Sequence, residues 1–345
     1  MPAISIIVPV YNAERFINKC VDSLIHQTFT DIEFYFVNDC SKDRSLELLN
    51  DYARRDPRVK IIDLPQNCGA AGARNHAISA VSGNYIAFVD IDDWVDHDRY
   101  EKLYAYTKQS DVDAVLDGFV CSDNEGHIKA EKPITQSLRY LTGAQMLNEM
   151  FFGSISAFAP WHGIYRASIV KALKFQPIRG DDAIFNFDFY ARANKICLTP
   201  PMPYHFRELD ASETRGYHPP ESVGSLRGVE AAATYLKNNK ELRSLVPNFD
   251  LIVDAHLLGE YATIARNTCE KDCPETFSKR REFLGAIAAS KYFRVAYENA
   301  AARARLGGRK RRFLSLLYSG RLDLITTYMY IKGLWKKAQR RVSGR

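Results

Sequence analysis

The sequence has no window of eighteen continuously apolar residues, so no helix is expected to cross a bilayer. Its first ten residues, MPAISIIVPV, carry no basic n-region and are broken by Pro9, which argues against a cleaved secretory leader. Cysteine is sparse and odd in number: seven, at 20, 40, 68, 121, 197, 269 and 273. That usage suits a reducing compartment better than a disulfide framework. Cys269 and Cys273 lie one helical turn apart with no second ligand pair near them, so no zinc site is expected. Two phosphate-binding signatures are also missing. The first apolar run leads into PVYNAER instead of GxGxxG, and no GxxxxGK followed by Ser or Thr occurs. Nicotinamide oxidoreductases and P-loop kinases therefore fall away.

What is present is a chain of 345 residues, 46% hydrophobic and 12% aromatic, long enough to bury a substantial core. Its formal charge of +6 is unevenly spread. Residues 303–345 hold thirteen Lys and Arg against the single acid Asp323, leaving 34 basic and 40 acidic residues in 1–302. From Arg309 onward, Phe313, Leu317, Leu324, Tyr328, Ile331 and Trp335 interleave with cations. An amphipathic helix at an anionic membrane surface has this pattern, and so does a stripe packed on the protein beside a solvated cationic end. No recognition module accompanies the basic run, so no nucleic-acid partner is expected.

Apolar runs at Ile4–Val10, Ile32–Val37, Val59–Ile62 and Tyr85–Val89 read as strands. Helical patterns separate them: one from Ala13 with Ile17, Cys20, Val21 and Leu24 on one face, one N-capped by Ser41, and one over 71–81. Such alternation predicts a doubly wound, mostly parallel α/β sheet whose right-handed crossovers bring Tyr11, Asp39, Asn67 and Asp90 to one edge. A helix over 98–109, a strand from Asp113 to Phe119, a loop or edge hairpin through SDNEGHIKAEKP, and a helix over 142–152 follow. Beyond Glu221 the pattern is helical, over 222–236, 252–264 and 277–302.

Chemistry concentrates in GNYIAFVDIDDW, residues 83–94, where a buried strand ends in Asp90, Asp92 and Asp93. Like charges this close repel unless a cation sits among them, and carboxylate oxygens suit a hard divalent ion that leaves positions for phosphate and water. Helix caps in a solvated turn are the other reading of the same acids. On the shared edge, Tyr11 can stack on a base and Asp39 can accept from a ring N–H, although a rim aromatic and a turn residue fit these two equally well.

ISIIVPVYNAE, VNDCSKDRS, NCGAAGARNHAISAVSGNYIAFVDIDDW, APWHGIYR and GDDAIF, in this order, resemble the successive motifs of glycosyltransferase family 2. The resemblance covers about residues 1–215 and implies a GT-A fold with a helical C-terminal extension. By that resemblance Pro9, Val10 and Tyr11 lie against the nucleotide base and Asp39 pairs with its ring nitrogen. Asp90 and Asp92 form the DxD that holds Mn2+ or Mg2+, Arg74 lies near the diphosphate or the donor sugar, and Trp161 and Tyr165 line the acceptor side. Asp182, in GDDAIF, matches the family's base, which takes the proton of the attacking hydroxyl; a helix cap is its bland reading. Asp181 stands where the family more often has Glu, and Asn38 where it more often has Asp. Residues 203–220 resemble a lid, from which His205 can reach the metal and Arg207 the diphosphate.

These expectations amount to an inverting, metal-dependent glycosyltransferase using a nucleotide-sugar donor, UDP-linked, and a bacterial surface glycan or glycolipid acceptor. The chain is then divided into a catalytic domain over 1–215, a helical extension over 216–302 and a basic tail over 303–345, working at the cytoplasmic face of a membrane. A nucleotidyltransferase and a non-catalytic sugar-nucleotide-binding module are the rival readings.

Overall fold

A computed structural model describes residues 1–208, 225–269, 273–325 and 327. Two compact units emerge, Met1–Pro177 with Asp181–Leu209, and Ile178–Gly180 with Asp210–Arg345.

In the first unit β1 (Ile4–Val10), α1 (Glu14–Ile25), β2 (Ile32–Asn38), α2 (Ser45–Arg55), β3 (Val59–Asp63), α3 (Gly69–Ala80) and β4 (Tyr85–Phe88) alternate. They are followed by β5 (Trp94–Val95), α4 (Arg99–Gln109), β6 (Ala114–Leu116), β7 (Phe119–Ser122), β8 (Ile128–Lys132), β9 (Arg139–Leu141) and α5 (Gly143–Phe152). Then come β10 (Gly163–Arg166), α6 (Ala167–Val170), α7 (Asp181–Arg192), β11 (Ile196–Leu198) and β12 (Tyr204–Arg207). The large sheet runs β3-β2-β1-β4-β10-β6-β11-β9, and a smaller one runs β5-β12-β7-β8. Strands β3, β2, β1 and β4 are parallel, as the alternation predicts. β10 enters antiparallel between β4 and β6.

The central strands are mostly apolar because helices cover both faces of a parallel sheet; every residue of β2 and β4 is buried, and the buried Glu33 of β2 accepts from the Ser5 hydroxyl of β1 at 2.6 Å. Ile17, Cys20, Val21 and Leu24 recur at helical spacing and form the buried stripe of α1. Gly83 is required before β4: a Cβ there would meet the Ser5 amide nitrogen and hydroxyl at 2.7 Å.

Two local expectations change. Ser41 does not cap α2, which begins at Ser45; its hydroxyl accepts the Asn12 amide at 3.1 Å, and Asp43 takes the Ser45 amide at 3.0 Å. Asn12 Oδ1 in turn accepts the Lys42 amide at 2.7 Å, so the loops after β1 and β2 are stapled together. The run 113–119 splits into β6 and β7, which belong to different sheets. The break falls at Asp117, whose buried carboxylate pairs with Arg99.

The second unit contains α8 (Leu226–Asn238), α9 (Lys240–Leu245), α10 (Phe249–Cys269), α11 (Phe277–Ala289), α12 (Lys291–Glu298), α13 (Ala300–Ala304) and α14 (Gly308–Tyr318). Helix α10 is the axis, packed by α8, α11, α12 and α13, and it is apolar around most of its circumference because it is enclosed. The single helix expected over 277–302 is three. The Ser290 and Asn299 side chains accept the amides of Phe293 and Ala302 at 3.2 Å, restarting the helix each time. In α14, Leu314 and Leu317 are fully buried while residues 309–312 are exposed. Of the expected amphipathic stripe, Leu317 therefore packs on the protein and Phe313 is partly covered, while Leu324 is exposed. The rest of it, from Tyr328, lies outside the described residues. No helix among the described residues is long and apolar enough to cross a membrane.

Candidate active site

Parallel pairing sets the edge. Val10 lies opposite Asn38, and Ile7 opposite Phe88. The chain beyond each strand, Tyr11, Asp39 and Asp90, therefore leaves the sheet on one side, where open α/β sheets bind ligands. Asn12 and Cys40 turn the first two segments in the left-handed backbone region, with φ of 47° and 61°, a conformation uncommon outside glycine. Tyr11 presents an exposed ring at this rim. Pro9 is partly covered, and the Val10 side chain is fully buried in the core. Among these three expected base contacts, Tyr11 alone offers an exposed side-chain face.

The structure gives Asp39 another task than reaching outward. Its two carboxylate oxygens accept the amides of Cys68 and Gly69, at 2.7 and 2.8 Å, and the residue is buried. These are unpaired donors at the start of α3, so Asp39 fixes where that helix begins.

The acidic turn after β4 is sorted by direction. The Asp93 amide donates to the Asp90 carbonyl at 3.0 Å, closing the turn. Asp93 points inward: its carboxylate accepts from the Tyr204 hydroxyl at 2.7 Å and the Arg207 amide at 2.8 Å. Burial, together with the charges of Asp92 and Asp90, pushes its carboxyl well above the ordinary range. Asp90 keeps 30% of its side chain exposed, and Asp92 is partly exposed. Two carboxylates thus keep hard oxygen donors partly exposed in a turn crowded with negative charge, and such a set fits a divalent cation.

Arg74, on α3, joins this turn to α7. Its guanidinium is buried and donates to Asp90 Oδ1 and to Asp182 Oδ1, both at 2.8 Å. Burial works against the charge on Arg74, and Asp182, Asp90 and Asp181 more than offset it. Asp181 and Asp182 occupy the first turn of α7, where the helix dipole favours anions. Burial, opposed by Arg74 and assisted by Asp181 and Asp90, lifts the Asp182 carboxyl to about 7. The structure therefore brings Asp90 and Asp182, 92 residues apart in sequence, onto one guanidinium.

Other expected site residues are not brought there. His205 is engaged elsewhere: one ring nitrogen pairs with Asp96 at 2.8 Å, the other with the Ser122 hydroxyl at 3.0 Å, and the ring stacks on Trp94. Strand β12 carries it into the small sheet. Arg207 is buried with its guanidinium over the Phe16 and Trp94 rings, bonded to the Asp92 carbonyl and to Asn124. Trp161 stacks on Tyr204 at 4.6 Å, and Tyr165 is fully buried beside Phe88 and Phe189. Both are core: Tyr165 sits on β10, an interior strand, and Trp161 lies in the short turn, Pro160–His162, that leads into it. Residues 209–220 of the expected lid lie outside the described residues.

Among the described residues one group of three has its ligand atoms within 4.8 Å of one another: Asp123, Glu125 and His127. Asp123 Oδ1 already accepts the amides of Gly126 and His127, which makes it the turn of the β7–β8 hairpin. Sequence reasoning missed the Arg99–Asp117 pair, bidentate at 2.6 and 2.7 Å and sealed from solvent. The available signal was an aspartate inside the apolar run AVLDGF.

Residues 5–173 match the family model described as Glycosyl transferase family 2. The chain is 31% identical over 274 residues to the "Putative glycosyltransferase EpsH" of Bacillus subtilis (strain 168), covering 76% of this chain and 78% of that one. The protein belongs to glycosyltransferase family 2. This glycosyltransferase is also 31% identical over 239 residues to the "Poly(ribitol-phosphate) beta-glucosyltransferase" of Bacillus spizizenii, which covers 66% of this chain but 36% of that longer one. Among solved structures, TarS 1–349 of S. aureus superposes with a TM-score of 0.71 over 98% of this chain and 92% of that one. At 19% identity that likeness shows the fold alone: a GT-A sheet followed by C-terminal helices.

Proposed function

We propose that this family 2 glycosyltransferase moves one sugar, with inversion, from a UDP-linked donor to a hydroxyl of a bacterial surface glycan such as lipopolysaccharide, capsule or exopolysaccharide. The observation that carries the reading is the pairing of Asp90 and Asp182 through Arg74 at the edge where β1, β2 and β4 end. Asp182 accepts the proton of the acceptor hydroxyl as that oxygen attacks the anomeric carbon. Asp90 and Asp92 would hold Mn2+ or Mg2+, and Tyr11 would stack on the base. When bound, the cation neutralises charge developing on the departing nucleoside diphosphate. With Asp182 as base and the diphosphate departing on the cation, displacement would be in line, which gives inversion.

Two comparisons support the donor and acceptor classes. The TarS structure is described as a complex with UDP-GlcNAc, and the Bacillus spizizenii relative is named for a polymer acceptor. A nucleotidyltransferase would leave Asp182 without a task and would want a glycine-rich basic loop after β1, where this chain has YNAER. In the proposed arrangement residues 1–215 are the catalytic domain, 216–302 a helical extension, and 303–345 a basic segment that adsorbs to the anionic inner face of the cell membrane.

Thermal unfolding with UDP, with and without Mn2+, tests donor binding. A ligand at a hundred times its Kd adds about 2.7 kcal/mol to the folded state, so UDP with Mn2+ should raise the melting temperature and UDP alone should do so less. Mass spectrometry of products from a panel of sugar nucleotides and acceptors then tests transfer. Failure to release UDP from any donor, with any acceptor, would overturn the reading.

A further inference from the structure

We propose that the Arg74–Asn75 pair of α3 positions Asp182, Arg74 by holding its carboxylate on the guanidinium shared with Asp90, and Asn75 by fixing the aromatic floor beneath both. The inference rests on the base assignment above and adds what holds that base in place.

The geometry is a closed chain of contacts. Asn75 clamps the backbone of residue 175 at both polar atoms: its side-chain amide donates to the Phe175 carbonyl, and the Phe175 amide donates to its carbonyl oxygen, both at 2.8 Å. The Phe175 ring lies under the Arg74 guanidinium, 5.1 Å from its centroid. Its other partner is Phe185 of α7, stacked at 4.0 Å and 4°. Phe88, the last residue of β4, meets both rings edge-on at 5.3 and 5.5 Å. Phe185 lies three residues beyond Asp182 on the same helix, and Phe88 two residues before Asp90. One aromatic cluster thus fixes the two elements that carry the paired carboxylates, and Arg74 closes the gap above it.

A single guanidinium facing two aspartates cannot relax toward one without leaving the other. Buried in this way, it has little freedom to do either. Rigid placement of this kind is what a proton acceptor needs, since small misplacements at a reacting centre carry large rate penalties. The groups facing Asp182 are Arg74, Asp181 and Asp90, and Arg74 is the one among them that favours the ionised carboxylate.

The experiment compares the full chain with Arg74→Gln, Asn75→Ala, Asp182→Asn and the Arg74→Gln/Asp182→Asn double variant, using UDP with Mn2+ as the binding probe. Arg74→Gln should lower kcat roughly a hundredfold, well beyond any loss of UDP affinity that follows from freeing Asp90, its second partner. It should also move the acidic limb of kcat/KM to higher pH, because the charge that favours ionised Asp182 is gone. Asp182→Asn added to it should cause little further loss, as expected of two residues acting as a unit. Asn75→Ala, which removes no charge, should lower kcat several-fold with UDP affinity unchanged; it carries the test if Arg74→Gln fails to fold. The proposal is overturned if UDP affinity falls in step with turnover and the pH limb stays put, if the two losses multiply, or if Asn75→Ala keeps full kcat. A wild-type chain that transfers no sugar would instead refute the proposed function, so the two failures are distinguishable.

Discussion

Arg74 and Arg99 belong to the same unit, both almost fully buried and both paired with aspartate at hydrogen-bond distance, yet they do different work. Arg99 meets one partner, Asp117, through two parallel bonds, and neither side chain touches solvent. It also reaches the carbonyls of Met202 and Trp161, so it ties α4 to the segments before β12 and β10. Arg74 meets two partners through one bond each, and those partners, Asp90 and Asp182, keep 30% and 36% of their side chains exposed. A sealed bidentate pair has all its charge compensated internally and holds the fold. A divided cation whose carboxylates stay partly exposed leaves them within reach of a ligand. Exposure of the acid, and not burial of the arginine, separates structure from site.

Substitution of the acids should bring out that contrast most sharply. Asp182→Asn should reduce transfer by about 10^2- to 10^4-fold while UDP binding, followed by thermal shift or calorimetry, persists. The wild-type pH profile belongs to the same prediction. With Asp182 lifted to about 7, kcat/KM at low donor should be full above that pH and fall about tenfold per unit below it, because the protonated acid cannot accept the hydroxyl proton. The Asn variant should lack that limb, and wild-type turnover that is flat from pH 5 to 8 would remove Asp182 from the role.

Asp117→Ala should show the opposite balance. It strands a buried guanidinium, so chemical denaturation should report a loss of about 3–5 kcal/mol, with residual activity tracking the folded fraction. An Asp117 variant that unfolds normally but fails in catalysis would erase the distinction drawn between the two arginines.

The smallest expected effect lies in the other unit, where cations are on the surface. Arg309, Lys310, Arg311 and Arg312 are exposed at the start of α14, while Leu314 and Leu317 anchor that helix in the interior. Reversing these four charges should leave turnover on soluble acceptors unchanged and weaken sedimentation with anionic vesicles by about 1 kcal/mol per residue at low salt. Equal sedimentation before and after reversal would assign the basic segment to some other task.

Much of the architecture was legible because it follows from local pattern. Mostly apolar runs of strand length separated by amphipathic helices admit few arrangements besides a parallel sheet. Strands that end in Tyr11, Asp39 and Asp90 then place a site at their common edge. Partner choice was not legible. His205 was a reasonable metal ligand by residue type, but β12 pairs beside β5 and delivers both of its ring nitrogens to Asp96 and Ser122. Trp161 and Tyr165 read as a platform by residue type, but Tyr165 lies on the interior strand β10 and Trp161, just before it, packs between Tyr204 and Phe119. Ser290 and Asn299 sat inside a helical pattern whose periodicity said nothing of their side chains turning back to cap the next segment.

The sequence by itself determined the α/β class, the edge at which chemistry collects and the kinds of group available there, since backbone periodicity and residue chemistry act over a few neighbours. Only the tertiary structure decided that Asp93 turns inward, that Asp39 holds a helix start, and that Arg74 divides its charge between carboxylates 16 and 108 residues away. Those contacts depend on which surfaces the packed core brings within 3 Å, and no local pattern carries that information.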